Sequence, residues 1–408
     1  MMADGLVIDP GPALLAGVLD GPGLAAHRRR AGELRRVTGE DVARAAEAAG
    51  LRGRGGAAFP FARKLRTVLD QPGRRPVVVV NLSEGEPLSA KDHALALVAP
   101  HLVLDGALSV ARAIGARRTH VVLPGDRPAV RLSVLDALEQ RDDTGSVRCH
   151  VASPRFVAGQ EQAVLELVSG RENLPVTAWR PAAVSGVGGR PTLLSNAETW
   201  AQLGFLLQHG LDAYRRSGTV DEPGTTLLTV SAPGRPRHVR EAEHGRAMGD
   251  VVPELGHPAG ADLVLLGGFH GSWVPRDELA RTPVSVEGLR SRGHALGAGV
   301  VQLLGVEECP VRRTTEIVRT LAGESAGRCG PCRLGLPALW AALEDLGAGR
   351  SDAAEVERLA TLVTGRGACA HPDGTSRLVR SLLSVTPEEV AAHARGVCTL
   401  TDAMCPAP

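Results

Sequence analysis

Forty-four of the 46 basic residues in this chain are arginine, and the two exceptions, Lys64 and Lys91, each close a stretch whose residue types could handle an anionic cofactor. Lys64 ends Gly50-Leu-Arg-Gly-Arg-Gly-Gly-Ala-Ala-Phe-Pro-Phe-Ala-Arg-Lys64, and Lys91 ends Asn81-Leu-Ser-Glu-Gly-Glu-Pro-Leu-Ser-Ala-Lys91. A lysine kept where arginine is the rule suggests a need for a compact, strongly hydrated point charge rather than a planar fork. Asparagine is as sparse, with only Asn81, Asn173 and Asn196. Gly53-Arg-Gly-Gly-Ala-Ala58 superficially fits the dinucleotide fingerprint G-x-G-x-x-A. That fingerprint needs a preceding strand, whereas residues 41–49 read as helix, so no standard Rossmann turn is expected. What the loop offers is backbone N–H groups that can approach an anion or a flat ring, beside a helix begun by Pro60 with its positive end toward the loop. Lys64, about one turn into that helix, is placed to neutralise a phosphate. Asn81-Leu-Ser-Glu84-Gly-Glu86-Pro follows the strand-like Val77–Val80, and its two glutamates could accept hydrogen bonds from ribose hydroxyls or a carboxamide. A solvated acidic turn is the alternative.

Six of the seven cysteines fall after residue 300. In a reducing compartment such clustering argues for metal or redox work rather than a disulfide framework. Cys329-Gly-Pro-Cys332 can be read as a thioredoxin-type redox pair, but that pair belongs after a strand early in a βαβ unit, and helices follow it here. Iron–sulfur clusters take several thiolates from a tight loop and one from elsewhere, and Cys369 could be the remote ligand. Cys149 reads as an ordinary core or surface cysteine.

The elements that must position these residues divide into regions. With 408 residues, two to four domains are expected. A net charge of +1 and 2% aromatics leave no electrostatic footprint or stacking platform for nucleic acid. There is no apolar run of transmembrane length and no basic n-region, so the expectation is a cytoplasmic protein without direct membrane insertion. After an Ala/Arg/Gly-rich start with a helix at 39–49, strand-like segments 77–80, 119–123 and 147–151 alternate with helix-like segments 101–114 and 128–140. That alternation predicts an α/β layer on a mainly parallel sheet. Residues 225–231 and 262–266 are β-rich, and 246–255 looks like one amphipathic helix, which suggests a small α+β domain. From 316 onward the pattern is helical, with segments 337–345, 353–364, 376–383 and 387–394 expected to form a bundle.

Taken together, the motifs resemble the flavoprotein (F) component of bacterial NADH-quinone oxidoreductase, respiratory complex I, over roughly residues 40 to 398. That family reads G-L-R-G-R-G-G-A-G-F-P-T-G-L-K and N-A-D-E-G-E-P-G-T-x-K-D in the two loops. It also reads Y-I-C-G-E-E where this chain has Phe156-Val-Ala-Gly-Gln-Glu161, and G-K-P-T-V-V-N-N-V-E-T where it has Gly189-Arg-Pro-Thr-Leu-Leu-Ser-Asn196-Ala-Glu198-Thr199. The resemblance implies an N-terminal helical segment (1–48), an FMN/NADH-binding α/β domain (49–222), a small ubiquitin-like, β-grasp α+β domain of the soluble-ligand-binding type (223–303) and a C-terminal helical iron–sulfur domain (304–408). In the family, hydride passes from NADH to FMN, and electrons then leave one at a time toward iron–sulfur partner subunits and quinone. Carried over position by position, the cofactor-binding set is Gly53, Arg54, Gly55, Gly56, Ala57, Ala58, Phe59, Lys64, Asn81, Ser83, Glu84, Phe156, Gly159, Gln160, Glu161, Ser195, Asn196 and Thr199. Glu84 and Glu86 take the catalytic positions, and Cys329, Cys332 and Cys369 hold the cluster.

The chain also departs from the family. Ser83, Gln160 and Ser195 replace an aspartate, a glutamate and an asparagine. Ser185 and Gly188 take the places of a lysine and an adenine-stacking phenylalanine, and Thr67 falls where another aromatic is usual. Lost stacking rings are worth roughly 1–3 kcal/mol each by analogy with bases on aromatic side chains. Ala326 replaces the first cysteine of E-S-C-G-x-C-x-P-C. The cluster is then 4Fe-4S with Ser325, a hydroxide, Cys309, Cys398 or Cys405 on the fourth iron, or 3Fe-4S, or lost. The resemblance thus implies an NADH dehydrogenase-type subunit binding FMN and NAD(H), held peripherally at the inner face of the membrane by its partners. Two other readings stay open: a flavin-bound or empty paralogue serving as an assembly module, and a thiol–disulfide redox protein built on Cys329 and Cys332.

Overall fold

A computed structural model describes residues 1–3, 5–32, 36–71, 73–256 and 260–400. The chain divides into two compact units, Met1–Val230 with Pro236–Arg246 and Pro283–Val286, and Ser231–Arg235 with Ala247–Thr282 and Glu287–Pro408. Residues 223–303 are thereby shared between them.

The first unit opens with two short strands, β1 (Met2–Ala3) and β2 (Leu6–Ile8), so the chain begins as strand where a helical segment was expected. Helices α1 (Leu24–Ala31), α2 (Gly39–Ala48) and α3 (Phe61–Leu69) follow. Thr38 and Asp41 start α2 with a reciprocal capping box. Val77 to Val80 are all fully buried, as β-branched residues covered on both faces of a central parallel strand should be. They form β3 (Val77–Asn81), which is joined by β4 (Thr119–Leu123), β5 (Val147–Val151) and β6 (Thr192–Asn196) in the order β5-β4-β3-β6, all parallel. β6 carried no expectation from the sequence. From β3 the chain moves to β4 and β5 on one side and returns to β6 on the other, so the topological switch point lies between β3 and β6.

Helices α4 (Lys91–Val98), α5 (Pro100–Ala113), α6 (Pro128–Glu139), α7 (Glu161–Val168) and α8 (Ala197–Tyr214) surround this sheet. α5 is buried on every side from Pro100 to Ala111, the mark of a central core helix. Its Gly106 lies so close to the Trp200 carbonyl, and Gly204 of α8 so close to the Leu102 carbonyl, that a Cβ at either would overlap backbone. The two helices therefore touch backbone to backbone, which fixes where α8 begins. β7 (Thr225–Ser231) and β8 (Arg237–Glu243) pair antiparallel, and β2 adds to β8 in parallel.

In the second unit the expected helix over 246–255 shrinks to α9 (Met248–Val251). Pro253 disfavours the helical region at Val252, whose backbone is extended at φ −125° and ψ 77°. β9 (Gly260–Leu266), β10 (Ser272–Pro275) and β11 (Val300–Gly305) form an antiparallel array in the order β11-β9-β10. Short α10 (Arg276–Arg281) and α11 (Val286–Arg290) lie between β10 and β11 in sequence. Helices α12 (Pro310–Gly323), α13 (Leu336–Gly347), α14 (Ala353–Val363), α15 (His371–Val385) and α16 (Pro387–His393) complete the described chain. Buried Val311, Ile317, Leu321, Leu339, Leu343 and Leu382 supply much of their common core. Trp273 of β10 ties this helical layer to the strands through Nε1 to Thr314 Oγ1 (2.9 Å) and its amide to Ser381 Oγ (2.8 Å). Among the described residues no single helix is long and apolar enough to cross a membrane.

Candidate functional site

Parallel pairing sets Asn81 opposite Asn196 at the carboxyl ends of β3 and β6, the crevice where open α/β sheets receive ligands. Asn81 Nδ2 donates to the Gly159 carbonyl (2.8 Å), while its Oδ1 accepts from the Ser83 amide (3.2 Å) and hydroxyl (2.6 Å). Asn196 stands at the N-cap of α8, yet its Nδ2 spans the Arg54 carbonyl (3.3 Å) and the Asp92 carboxylate (3.0 Å), and its Oδ1 accepts from Thr199 Oγ1 (2.5 Å). Over this pair the glycine loop closes on itself, with Gly53 N–H donating to the Phe59 carbonyl (2.8 Å) and Phe61 N–H to the Leu51 carbonyl (2.9 Å). Gly55, Gly56 and Ala57 lie exposed at its tip, Gly56 at φ 102° and Ala58 at φ 50°. Arg54 anchors the loop rather than facing outward. Its amide donates to Thr199 Oγ1 (2.9 Å) and its buried guanidinium to the Thr225 carbonyl (3.0 Å).

As the sequence suggested, helix α2 rather than a strand precedes the glycine loop, and α3 follows it. Lys64 lies one turn into α3, where Nζ holds Glu161 Oε2 (2.8 Å) and the Leu194 carbonyl (2.7 Å) while the side chain keeps 22% of its surface exposed. Gln160 occupies the N-cap of α7 and accepts from the amides of Gln162 (2.9 Å) and Ala163 (3.3 Å). Exposed glycine backbone, the two strand-end amides and an ammonium that stays partly accessible beside its Glu161 partner form a cradle that fits the phosphate and ring of a phosphorylated flavin.

The acidic loop is more tightly bound into the fold than its sequence implies. Glu84, at φ 40°, accepts from Ser89 Oγ (2.7 Å) and from the Asp92 (3.1 Å) and His93 (2.8 Å) amides. It thereby satisfies the first turn of α4, whose N-cap Ala90 has no side chain able to do so. Glu86 Oε1 accepts from the Leu88 amide (3.1 Å). Gly85 lies against the Phe156 carbonyl with no room for a Cβ, and a Cβ at Gly159 would come within 2.8 Å of Ser83 Oγ. The turn Phe156–Gly159 is thus packed directly onto the acidic loop.

Lys91 is not at the cradle surface. Its Nζ is buried between Asp92 Oδ1 (3.1 Å) and Glu198 Oε2 (3.0 Å). Burial opposes its charge, but Asp92, Glu198 and Glu84 prevail and raise its pKa above the ordinary lysine value. Burial lifts Asp92 to about 6 against the pull of Lys91. Asp92 in turn accepts from the Glu198 amide (2.9 Å) at the start of α8, and Glu198 Oε1 accepts from the Leu227 amide (2.9 Å). Buried Asp92 therefore positions Asn196, and Glu198 and Lys91 hold Asp92 in place. Nothing in the local sequence of either residue signals that role.

On the outer side of the glycine loop, Phe59 is 48% exposed, with the Arg63 guanidinium 5.5 Å from its ring centroid. No ring stands at the two other positions where one was sought. Thr67 Oγ1 donates to the Arg63 carbonyl (2.9 Å), and Gly188, at φ 57°, has open space where a side chain would begin. Ser185 makes only a backbone turn, its amide donating to the Pro181 carbonyl (3.0 Å). The Ser195 carbonyl accepts from Trp200 Nε1 (3.1 Å), which also reaches the Val79 carbonyl (3.1 Å).

In the second unit, Cys329, Cys332 and Cys369 are close enough to act on one another electrostatically. The Cys329 carbonyl accepts from the amides of Cys332 (2.9 Å) and Arg333 (3.0 Å), and the Leu336 amide then reaches back to the Pro331 carbonyl, making Pro331–Gly335 a π-helical turn that leads into α13. Burial pushes the Cys332 thiol up to about 12, with Cys329 and Cys369 adding to the shift and the hydroxyl of Ser325 opposing it. Burial likewise raises Cys369, which the His371 amide at the start of α15 opposes. Three neighbouring thiols with a serine hydroxyl beside Cys332 are a donor set suited to an iron–sulfur cluster. Helices α12 and α13 flank Cys329-Gly-Pro-Cys332, whereas a thioredoxin-type pair follows a strand. Cys309 and Cys398 lie elsewhere, grouped with Glu389 and His393, so they are not spare ligands for this cluster. Cys405 falls outside the described residues, and Cys149 is exposed on β5.

Comparison with known families matches residues 46–204 to the Nuo51 FMN-binding domain and residues 312–393 to the NADH-ubiquinone oxidoreductase-F iron-sulfur binding region. The F component of NADH-quinone oxidoreductase in Streptomyces coelicolor is 28% identical over 88% of this chain and 84% of its own length. The F 2 component of the same enzyme in Rhizobium meliloti is 28% identical over 94% and 95%, and the F component in Mycobacterium tuberculosis is 29% identical over 88% and 85%. Among solved structures, an NAD+-reducing [NiFe]-hydrogenase in the air-oxidised state superposes with a TM-score of 0.84 at 27% identity, covering 98% of this chain and 70% of that one.

Proposed function

We propose that this chain, a divergent relative of the NADH-quinone oxidoreductase F components, is an NADH-oxidising flavoprotein that passes electrons from NADH through FMN to an iron–sulfur cluster and on to iron–sulfur partner subunits. The observation that carries this reading is the cross-strand pair Asn81 and Asn196 at the switch point, roofed by the glycine loop, with Lys64 held on the Leu194 carbonyl of β6. FMN bound there supplies a hydride acceptor that gives up its electrons singly. The exposed N–H groups of Gly55 to Ala57 and Lys64 would hold its phosphate, with Glu161 released from Lys64 as the phosphate arrives. Asn81, Ser83, Asn196 and Thr199 would orient the ring, and Glu84, held by the first turn of α4, would keep the acidic loop at a fixed height beside it. Phe59 and Glu86 would face the dinucleotide. Hydride transfer depends on placement more than on a protein acid or base, so the work of these residues is positional.

Cys329, Cys332 and Cys369 would carry the exit cluster, with Ser325 supplying oxygen where Ala326 has no thiol. The segments 49–222, 223–303 and 304–408 would correspond to the FMN, β-grasp and iron–sulfur domains, and the protein would work in the cytoplasm, attached to a membrane only through partners. The open space at Gly188 favours one other reading, a flavin-bound assembly module that does not turn over NADH. Anaerobic purification followed by flavin, iron and sulfide analysis and an NADH-to-artificial-acceptor assay separates the two. Bound FMN with NADH-dependent acceptor reduction supports the enzyme, bound FMN without it supports the module, and a colourless chain that takes up no FMN refutes both.

A further inference from the structure

The second unit holds another, tightly grouped set of potential metal ligands. Cys309 at the N-cap of α12, Glu389 and His393 one turn apart on α16, and Cys398 beyond that helix are all buried, and one ligand atom from each lies within 4.8 Å of all the others. Cys309 Sγ is 3.2 Å from His393 Nε2 and 3.7 Å from Glu389 Oε1, Cys398 Sγ is 3.4 Å from Glu389 Oε1, and His393 Nε2 is 3.0 Å from the same oxygen. A tetrahedral ion with bonds of about 2.3 Å to sulfur and about 2.0 Å to nitrogen or oxygen has edges of roughly 3.3–3.8 Å. The separations found here fall at or just inside those edges.

As hydrogen bonds the same contacts are poor. Thiols are weak donors, and two of them with an imidazole and the Thr399 amide (3.4 Å) all crowd Glu389 Oε1. Meanwhile His393 Nδ1 is buried without a partner. The second carboxylate oxygen accepts from the Thr399 hydroxyl, an outer contact of the kind that orients a ligating carboxylate. Two of the four residues, Cys309 and Cys398, lie outside the matched iron–sulfur region, so this group is not a part of that region's cysteine motif.

We propose that Cys309, Glu389, His393 and Cys398 form a structural zinc site. Two thiolates, one imidazole and one carboxylate suit zinc, and four protein ligands leave no open position for a substrate. The ion clamps the start of α12 to α16 and to the chain beyond it. Zinc and iron are therefore separate inventories in this protein.

The test is metal analysis and zinc X-ray absorption on the full chain, expressed with zinc supplied. One zinc per chain with a mixed shell of two sulfurs and two nitrogen or oxygen atoms is expected. Cys398→Ser and Glu389→Gln should each lower zinc content about tenfold or more under mild chelation while bound flavin is unchanged. Cys329→Ser combined with Cys332→Ser should lose iron and keep zinc. Should the Cys398 variant fail to fold, the absorption spectrum of the parent protein still decides. Zinc well below stoichiometric, a sulfur-only zinc shell, or a Cys309–Cys398 disulfide found by intact mass would each overturn the proposal.

Discussion

Replacing Lys91 with methionine keeps the length of the side chain and removes the ammonium that sits between Asp92 and Glu198, 3.1 and 3.0 Å away. The three side chains retain 5%, 7% and 1% of their surface, so water cannot take over the lost role. At an effective dielectric of about 20, each contact is worth about 5 kcal/mol of gross attraction. Much of that is offset by desolvation that the variant no longer incurs, and removing one partner of a buried pair typically costs about 3–5 kcal/mol net. For a unit of this size that corresponds to a fall in Tm of about 6–20 °C. The raised pKa of Lys91 makes its contribution fully present below the unfolded lysine value of about 10.4, and lost only as pH climbs through the folded value. The loss should therefore be seen in full at pH 7. Asp92, already near 6, would rise further and take up a proton, loosening its hold on Asn196 and on the start of α8. FMN affinity should fall along with stability. Urea unfolding followed by circular dichroism, with flavin binding measured in parallel, provides the readout, and Lys91→Met combined with Glu198→Gln should recover part of the loss. A single variant within about 0.5 kcal/mol of the parent would refute the reasoning, because a solvated surface lysine behaves that way.

Lys64→Gln should weaken FMN binding by about tenfold or more, the value of one charge-assisted contact, in a fluorescence-quenching titration, and an unchanged Kd would remove Lys64 from the phosphate site. Gly85→Ala must push the acidic loop off the Phe156 carbonyl, and a loss of about 1–3 kcal/mol with weaker flavin retention is expected by thermal melting, whereas a neutral result would mean the two loops are not packed as described. Burial, reinforced by His150 and Arg190, holds His120 down at about 4, so the folded state resists a proton that the unfolded chain takes up near 6.5. Stability should drop as pH falls from about 6.5 toward 4, with a slope of up to one proton from this residue, and His120→Phe should flatten the curve. A variant with the parent slope would locate the acid sensitivity elsewhere.

Local pattern was enough for the buried strand Val77–Val80 and for the helix Gly39–Ala48, because each is a short segment whose residue types favour one backbone state. β6 was not legible. Thr192–Asn196 is short, and its place beside β3 comes from a pairing more than a hundred residues long in sequence. The acidic loop was legible as chemistry but not as mechanics, since only the fold brings the Asp92 and His93 amides to Glu84. Lys91 stood out by its rarity, yet its partner Glu198 belongs to α8, and that distant carboxylate turns a presumed loop lysine into a buried one. The same limit hid the second metal-binding group. Cys309 and Cys398 were visible as thiols, but Glu389 lies 80 residues from Cys309 and carries no mark of its own.

In the proposed function electrons enter at the flavin. An anaerobic visible spectrum of the purified chain, recorded before and during addition of NADH, tests donor, flavin and cluster together. A flavin spectrum on a broad iron–sulfur background is expected, with the flavin bands bleaching as NADH is added. Flavin that stays oxidised in excess NADH would contradict the proposed function.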